Sequence, residues 1–418
     1  MYKRDFIWNS IAGLINAAEA VVMAIMVTRI TNLSDAGILT IAFAVGNLLM
    51  SVGKLGVRNY QVTDVKTQYK YETYFTMRII SVLLMLLLSV SYVTAKMMLF
   101  SESFFKEGCI LAICAIYIIE SFEDVIWGEF QRKKRLDIGA KIFVTRWCVI
   151  FFTFAISLYF NHNLFVSLWL CFATSFICFL TMTNIYEKKY NLECVKNQQI
   201  HLWKIQRNKK NLYKLLGQVY PLFLVSFLAF YINNSAKYAL DVYVDNETQA
   251  CYGFVSMPVF VIGLLNGMIY QPSVVWLSEQ WTKGNKNIFI SKIRKQCLII
   301  LAISIICIIG VASIGIPVLS VLYSTNLKNY WKELVILQFA GMFLALSGYM
   351  VLILTIMRMQ KALLLGYSIV FFVSLLGMKF MAYKYGTVGV SMYYLFCIIL
   401  LFMIYALIFL KNYNMERE

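Results

Sequence analysis

Three carboxylates occupy positions i, i+3 and i+4 of one apolar stretch: Glu120, Glu123 and Asp124. In an α-helix this spacing places all three side chains on one face. Such a cluster inside a hydrophobic segment either binds a cation or forms ion pairs with nearby basic residues, here those at 132–135 and Arg146. We favour the ion-pair interpretation.

A fourth carboxylate, Glu19, lies about 13 residues into the first apolar stretch, roughly 20 Å along a helix and near the middle of a bilayer. Asn9, Gly13, Asn16 and Met23 follow the same helical spacing, so this polar-to-small stripe should face a bundle interior. Ionisable residues at this depth are costly and are therefore functional candidates. Glu19 either binds a coupling proton or cation, or pairs with a Lys or Arg of a neighbouring helix.

Six basic residues at or near the ends of apolar stretches form a second candidate group. They are Arg29, Lys54, Arg58, Arg78, Arg146 and Lys237. Arg and Lys are the side chains that hold phosphate, Arg through its bidentate fork and Lys as a point charge. The alternative is that all but Arg29 and Lys237 extend to the inner membrane interface. Those two lie on the side where positive charge is otherwise scarce.

These residues are carried by twelve apolar stretches, most of them about 20 residues or longer. The stretches cover residues 6–30, 36–57, 75–95, 108–127, 142–160, 164–185, 215–236, 251–274, 297–323, 334–357, 362–382 and 387–410. A helix of about 20 residues crosses roughly 30 Å of hydrocarbon. The 61% hydrophobic content and the mean hydropathy of +0.70 agree. The sequence predicts an all-α polytopic membrane protein with about twelve transmembrane helices.

The basic residues are concentrated on alternate connections between these stretches. Thirty of the 38 Lys and Arg residues fall at the N-terminus, the C-terminus or the even-numbered connections, counted together with the adjoining ends of the apolar stretches. Positively charged loops stay in the cytoplasm, so both termini are expected there. The net charge of +17 then reflects topology and attraction to membrane lipids, and it gives no support to a nucleic-acid partner.

A polar segment at 186–214 divides the stretches into six and six. We therefore expect a six-helix bundle at 1–185, a cytoplasmic amphipathic linker at 186–214 and a second six-helix bundle at 215–418. Apolar and basic residues alternate over 198–214 in a pattern that favours a helix lying on the inner leaflet. An even number of helices per half gives both halves the same orientation, which is the arrangement of transporters that rock around a central cavity.

Enzymatic motifs are missing from the sequence. It contains two histidines and neither a phosphate-binding loop, an HExxH motif nor a GxSxG motif. The ten cysteines are scattered, mostly within the apolar stretches, and support neither a disulfide framework nor a metal site. We expect a protein that is not an enzyme and that uses no cofactor and no metal.

Two short segments resemble the bacterial flippases of polysaccharide repeat units, which are related to multidrug and toxin extrusion (MATE) proteins. Residues 28–37, TRITNLSDAG, resemble the first loop of that family, where Arg precedes a polar turn, an acidic residue and Gly. Residues 128–132, GEFQR, followed by a basic loop, resemble its connection between the fourth and fifth helices. At the level of twelve helices in two halves the resemblance covers essentially the whole chain.

The resemblance implies a MATE-like fold and a function. The expected substrate is an oligosaccharide linked to undecaprenyl pyrophosphate, used for O-antigen or capsule synthesis and turned from the inner to the outer leaflet of the bacterial cytoplasmic membrane. The polysaccharide polymerase machinery would be a further partner. Of the cationic cavity of that family, Arg29 carries over from the motif and Lys237 from a weak repeat between the halves. The alternative is a cation-coupled multidrug exporter of the same superfamily, for which Glu19 is the coupling candidate.

Overall fold

The computed structural model describes residues 2–64, 68–193, 199–206, 209–270 and 273–415. Within these ranges the regular structure is helical throughout. Contacts divide the chain into two compact units, Met1–Phe230 (unit 1) and Tyr231–Glu418 (unit 2). The all-α class predicted from the hydropathy pattern is therefore confirmed.

Unit 1 contains seven helices and the first part of an eighth among the described residues. They are α1 (Tyr2–Ile30), α2 (Leu33–Lys54), α3 (Val57–Thr63), α4 (Tyr71–Phe100), α5 (Phe104–Arg132), α6 (Leu136–Asn161), α7 (Leu164–Glu193) and α8 (Lys209–Tyr243), which continues into unit 2. Side-chain caps mark the starts of α2 and α5. Asn32 accepts a hydrogen bond from the backbone N–H of Asp35 at 2.7 Å, and Ser103 accepts one from Lys106 at 3.2 Å. Each cap contributes about 1 kcal/mol to its helix.

Helix α5 lies at the centre of unit 1 and carries most of its intramembrane charge. It packs against α2, α4, α6 and α7, and α2 is the most buried of the candidate membrane spans. Gly46 permits the close approach of α2 to α5, since a Cβ atom there would lie 2.8 Å from Ile113 and 2.9 Å from Tyr117. A helix enclosed by protein can hold charged side chains because they need not face lipid.

Unit 2 contains the end of α8 and six further α-helices among the described residues. They are α9 (Asn246–Ser256), α10 (Pro258–Tyr270), α11 (Val274–Thr282), α12 (Lys286–Leu322), α13 (Trp331–Ile356) and α14 (Gln360–Met415). The stretch predicted at 251–274 is not one helix, because Pro258 lacks a backbone N–H and opens a new helix after Ser256. The predicted pair at 362–382 and 387–410 corresponds to the two halves of α14, which are separated at Gly386, where φ 56° and ψ −142° are not helical.

Ten helical segments in the described ranges are long and apolar enough to cross a membrane. One of them is α14, whose 56 residues are about twice what one crossing needs. It therefore supplies two crossings, one before and one after Gly386. Helix α5, with 29 residues, is also long enough to cross the membrane, but its charged residues exclude it from these ten apolar segments. The chain is therefore a multi-pass membrane protein, and this helix count agrees with the predicted architecture of about twelve spans.

The polar segment between α7 and α8 is packed onto unit 1 where it is described. Residues 199–206 are not helical, so the amphipathic helix expected over 198–214 is wrong there. The Tyr71 hydroxyl donates to the Leu202 carbonyl at 3.1 Å, and Leu202 is buried in an apolar cluster with Tyr71 and Phe75. The Trp203 ring contacts Phe75 and Phe179 edge-on. These tertiary contacts outweigh the helical pattern of the sequence.

Candidate functional site

A polar cavity of about 260 Å³ lies within unit 1. Four helices, α1, α2, α5 and α6, together with the short α3, provide its walls. The lining residues are Asn9, Ala12, Gly13, Asn16, Lys54, Arg58, Glu120, Glu123, Asp124, Trp127 and Phe143. The stripe predicted on α1 therefore faces this cavity through Asn9, Gly13 and Asn16.

The three carboxylates of α5 share one face, as their spacing predicts, and each contacts a cation. Glu120 accepts from Lys54 at 2.9 Å, and Glu123 lies 2.8 Å from Arg146. Asp124 lies 2.7 Å from Arg78 and 3.4 Å from Arg58. These three carboxylates and four cations are hereafter called the charge network, and its cations are the predicted basic set without Arg29 and Lys237.

Two members of the charge network are fully buried behind the cavity wall. Arg146 reaches Glu120 at 3.4 Å as well as Glu123, and donates to the Ser175 hydroxyl at 3.3 Å. Arg78 donates to the Gly53 carbonyl in addition to Asp124. Both guanidinium groups are wholly inaccessible to solvent. Their positions suit them to fix the carboxylates and not to contact a ligand.

The other two cations line the cavity. The side chains of Lys54 and Arg58 are 30% and 23% exposed, which leaves part of each charged group open to the cavity. Arg58 also stacks over the Trp127 ring at 4.4 Å from the ring centroid and donates to Gln131 at 3.0 Å. Such cation–π stacking fixes the orientation of a guanidinium and leaves its edge available for hydrogen bonds.

Glu19 is buried in α1, one helical turn beyond Asn16. Its Oε1 accepts a hydrogen bond of 2.6 Å from the Tyr117 hydroxyl, while Oε2 has no hydrogen-bond partner within the described ranges. It interacts electrostatically with Glu120, Lys54 and Arg146. Glu19 makes no direct ion pair in the described part of the chain, and it borders the charge network.

Two predicted residues are not brought to this cavity. Arg29 is exposed in the last turn of α1, about 20 Å along the helix from Asn16. Lys237 is buried in unit 2 and lines a small cavity of about 20 Å³ with Asn233, Tyr252 and Tyr394. No carboxylate pairs with Lys237 among the residues that the structure describes.

Sequence reasoning missed Tyr117 and Trp127 as site residues. Tyr117 precedes Glu120 by three positions on α5, so the same helical spacing that unites the carboxylates extends to it. Trp127 follows Asp124 by three positions, so the same helical spacing reaches it as well. Where the chain is described, no group of three or more His, Cys, Asp and Glu side chains has a metal-binding arrangement.

A scan against protein-family models and a search of curated protein sequences find no match. Solved structures do match. The lipid II flippase MurJ in an inward closed conformation matches with a TM-score of 0.72 at 13% identity, covering 98% of this chain and 89% of that chain. A multidrug resistance MATE family transporter of the MOP superfamily, in an inward-facing conformation, matches with a TM-score of 0.68 at 11% identity, covering 96% of this chain and 97% of that chain.

The MATE transporter VcmN of Vibrio cholerae, as its D35N mutant, gives a TM-score of 0.63 at 13% identity, covering 99% of this chain and 97% of that chain. Identities this low establish a common fold and nothing finer. The chain therefore has the MATE-like fold that these transporters share with the lipid II flippase.

Proposed function

We propose that this protein moves undecaprenyl-pyrophosphate-linked oligosaccharide repeat units from the inner to the outer leaflet of the bacterial cytoplasmic membrane by alternating access. The product would enter surface polysaccharide synthesis, with the polymerase machinery as the next partner. The observation that carries the proposal is the polar cavity of unit 1, in which Lys54 and Arg58 line about 260 Å³ within a membrane-spanning bundle. The likeness to a lipid II flippase supports a lipid-linked substrate.

The chemistry of the cavity suits a pyrophosphate joined to sugars. Lys54 and Arg58 would contact the phosphate oxygens, because both are charged donors with partly open side chains. The amides of Asn9 and Asn16 would hydrogen-bond sugar hydroxyls, and the Trp127 ring would pack against a sugar face. The polyprenyl tail need not enter the cavity, since it remains soluble in the bilayer.

Glu19 is the proposed coupling residue, because its ionisation sets the net charge around the cavity. The cations Lys54, Arg58, Arg78 and Arg146 face the carboxylates Glu19, Glu120, Glu123 and Asp124. With Glu19 ionised the eight charges cancel, and with Glu19 protonated one positive charge remains. One unit charge at about 6 Å, in an effective dielectric constant near 20, is worth about 3 kcal/mol toward a phosphate charge, roughly a hundredfold in affinity. Proton uptake would thus favour substrate binding and proton release would favour substrate release.

The remaining predicted cations receive different roles. Arg78 and Arg146 would position the carboxylates, since neither reaches the cavity surface. Lys237 is proposed as a phosphate-binding cation within unit 2 itself, because it is buried without a carboxylate partner in the described ranges. Arg29, exposed at the far end of α1, would meet the substrate only on the outer side. The basic connections place both termini in the cytoplasm under this proposal.

The proposal is tested in cells that lack the protein. Lipid-linked oligosaccharide should accumulate on the inner leaflet, protected from an external glycan-modifying probe, while surface polysaccharide is lost. Expression of the wild-type protein or of Lys188→Met, an exposed position outside the cavity, should restore export, whereas Arg58→Met should not. Normal glycan export in the deletion strain would rule out the flippase function.

A cation-coupled multidrug exporter is the second candidate. The observation that favours it is the concentration of carboxylates around the cavity, with Glu19 buried beside it, because acidic groups attract cationic drugs. It predicts that the deletion strain exports glycan normally and accumulates small amphipathic cations. The pairing of Glu120, Glu123 and Asp124 with four basic side chains argues against it, since no net negative charge is left.

A further inference from the structure

A second cavity of about 150 Å³ lies in unit 1 where α1 begins, α6 begins and α7 ends. It shares no lining residue with the first cavity. Its walls are formed by Arg4, Arg135, Ile138, Lys141, Tyr186, Lys189 and Tyr190. The volume is about ten times the roughly 15 Å³ that one water molecule needs, so a small polyatomic ligand fits.

The floor of this cavity is organised by one buried carboxylate. Asp137, in the first turn of α6, is wholly inaccessible to solvent. It lies 3.2 Å from Arg4, 3.1 Å from Arg135 and 3.0 Å from Lys141. The Lys141 ammonium also lies 5.5 Å from the centre of the Trp8 ring. These contacts hold three cations, from three different places in the chain, close together.

The cavity carries an excess of positive charge. Its walls contain four basic side chains, and Lys189 makes no ion pair among the described residues. Asp137 lies beneath them, and the Oδ1 of Asp5 accepts a hydrogen bond from the Asp137 backbone at 3.3 Å. The wall residues themselves include no acidic side chain, so positive charge predominates at the cavity surface. Holding like charges this close costs free energy, which a bound anion would recover.

We propose that this cavity binds a phosphate group at the membrane surface. A phosphate offers several strong acceptor oxygens to converging Arg and Lys donors, which a single carboxylate does not. The group can come from an anionic phospholipid headgroup or from free phosphate, and the chemistry is the same for both. Tyr186 in the wall adds a neutral hydroxyl donor. The site is separate from the proposed transport cavity and does not depend on the proposed function.

The test measures binding to the purified full-length protein in neutral detergent, where no membrane surface potential acts. The probes are dioctanoyl-phosphatidylglycerol, dioctanoyl-phosphatidylcholine and sodium phosphate, with lipid adducts resolved by native mass spectrometry and phosphate binding by calorimetry. We expect one saturable site for phosphatidylglycerol that phosphatidylcholine does not fill. Lys189→Met should weaken binding about tenfold, because it removes one charge-assisted contact to the phosphate oxygens.

The matched control is Lys188→Met, because Lys188 is the exposed neighbour of Lys189 and lies outside the cavity wall. It should leave the affinity unchanged. Lys189 pairs with no carboxylate in the described ranges, so Lys189→Met should unfold at the wild-type temperature, and lost binding would then report on the site. Binding of phosphatidylglycerol alone identifies a lipid headgroup as the occupant, and binding of sodium phosphate alone identifies a soluble one. Binding of neither probe, or equal weakening by both variants, would overturn the proposal.

Discussion

Replacement of Arg146 by Met should strongly destabilise unit 1. The guanidinium is fully buried, lies 2.8 Å from Glu123 and 3.4 Å from Glu120, and donates to Ser175. Removing it leaves the Glu123 carboxylate buried without its cation, while Glu120 keeps Lys54. Breaking one partner of a buried ion pair costs about 3–5 kcal/mol. We expect a loss in that range for Arg146→Met.

The double variant Arg146→Met/Glu123→Gln distinguishes this cause from lost packing. A neutral Gln removes the buried charge, so the double variant should recover most of the loss and remain within about 2 kcal/mol of the wild type. The assay is the free energy of unfolding in mixed detergent micelles, followed by tryptophan fluorescence and circular dichroism. A loss below about 1 kcal/mol for Arg146→Met, or no recovery in the double variant, would refute the ion-pair account of this cluster.

Three further predictions concern other parts of unit 1. Glu19→Gln should abolish the pH dependence of transport. It should leave the unfolding free energy within about 1 kcal/mol of wild type, because Gln retains an acceptor for the Tyr117 hydroxyl. An unchanged pH–rate profile would remove the coupling role of Glu19. Gly46→Leu should lower the unfolding free energy by about 1–3 kcal/mol by forcing α2 from α5, and a stability equal to wild type would contradict the packing described. Burial raises the pKa of Asp64, but hydrogen bonds from two backbone N–H groups and the Tyr74 hydroxyl outweigh it, so that the pKa is lowered. The stabilisation from Asp64 is therefore present above the unfolded pKa of about 3.9 and is lost as the pH falls through the folded value. Asp64→Asn should lower the unfolding free energy by about 1 kcal/mol at pH 7 and leave it unchanged at low pH, as measured by pH-dependent unfolding.

The sequence predicts which residues share a helix face more reliably than which helices meet. The spacing of Glu120, Glu123 and Asp124 places them together on α5, and the structure has them so. Their partners lie far away in the chain, as with Lys54, which is 66 residues from Glu120. Pairing across such distances depends on the rotation of each helix about its axis, and uniformly apolar stretches carry little information on rotation.

Sequence patterns also fail to predict local structure where tertiary contacts or backbone chemistry oppose them. Residues 199–206 have an amphipathic pattern but pack through Leu202 and Trp203 onto aromatic side chains of α4 and α7. Pro258 divides one predicted span into two helices, whereas the non-helical backbone at Gly386 separates the two helices expected at 362–382 and 387–410. The hydropathy pattern fixes the number of crossings because each must satisfy the same bilayer thickness, whereas helix continuity across a turn depends on a few backbone dihedral angles.

In the proposed function, the polar cavity of unit 1 carries a pyrophosphate-linked glycan across the membrane. The most direct test is a reconstituted assay, in which proteoliposomes loaded with a lipid-linked oligosaccharide are scored for glycan that becomes accessible to an external glycosidase. We expect the wild-type protein and Lys188→Met to expose the glycan, and Arg58→Met to reduce the initial rate at least tenfold while retaining the wild-type fold by circular dichroism. Equal rates for Arg58→Met and the wild-type protein, or no exposure by the wild-type protein at all, would contradict the account.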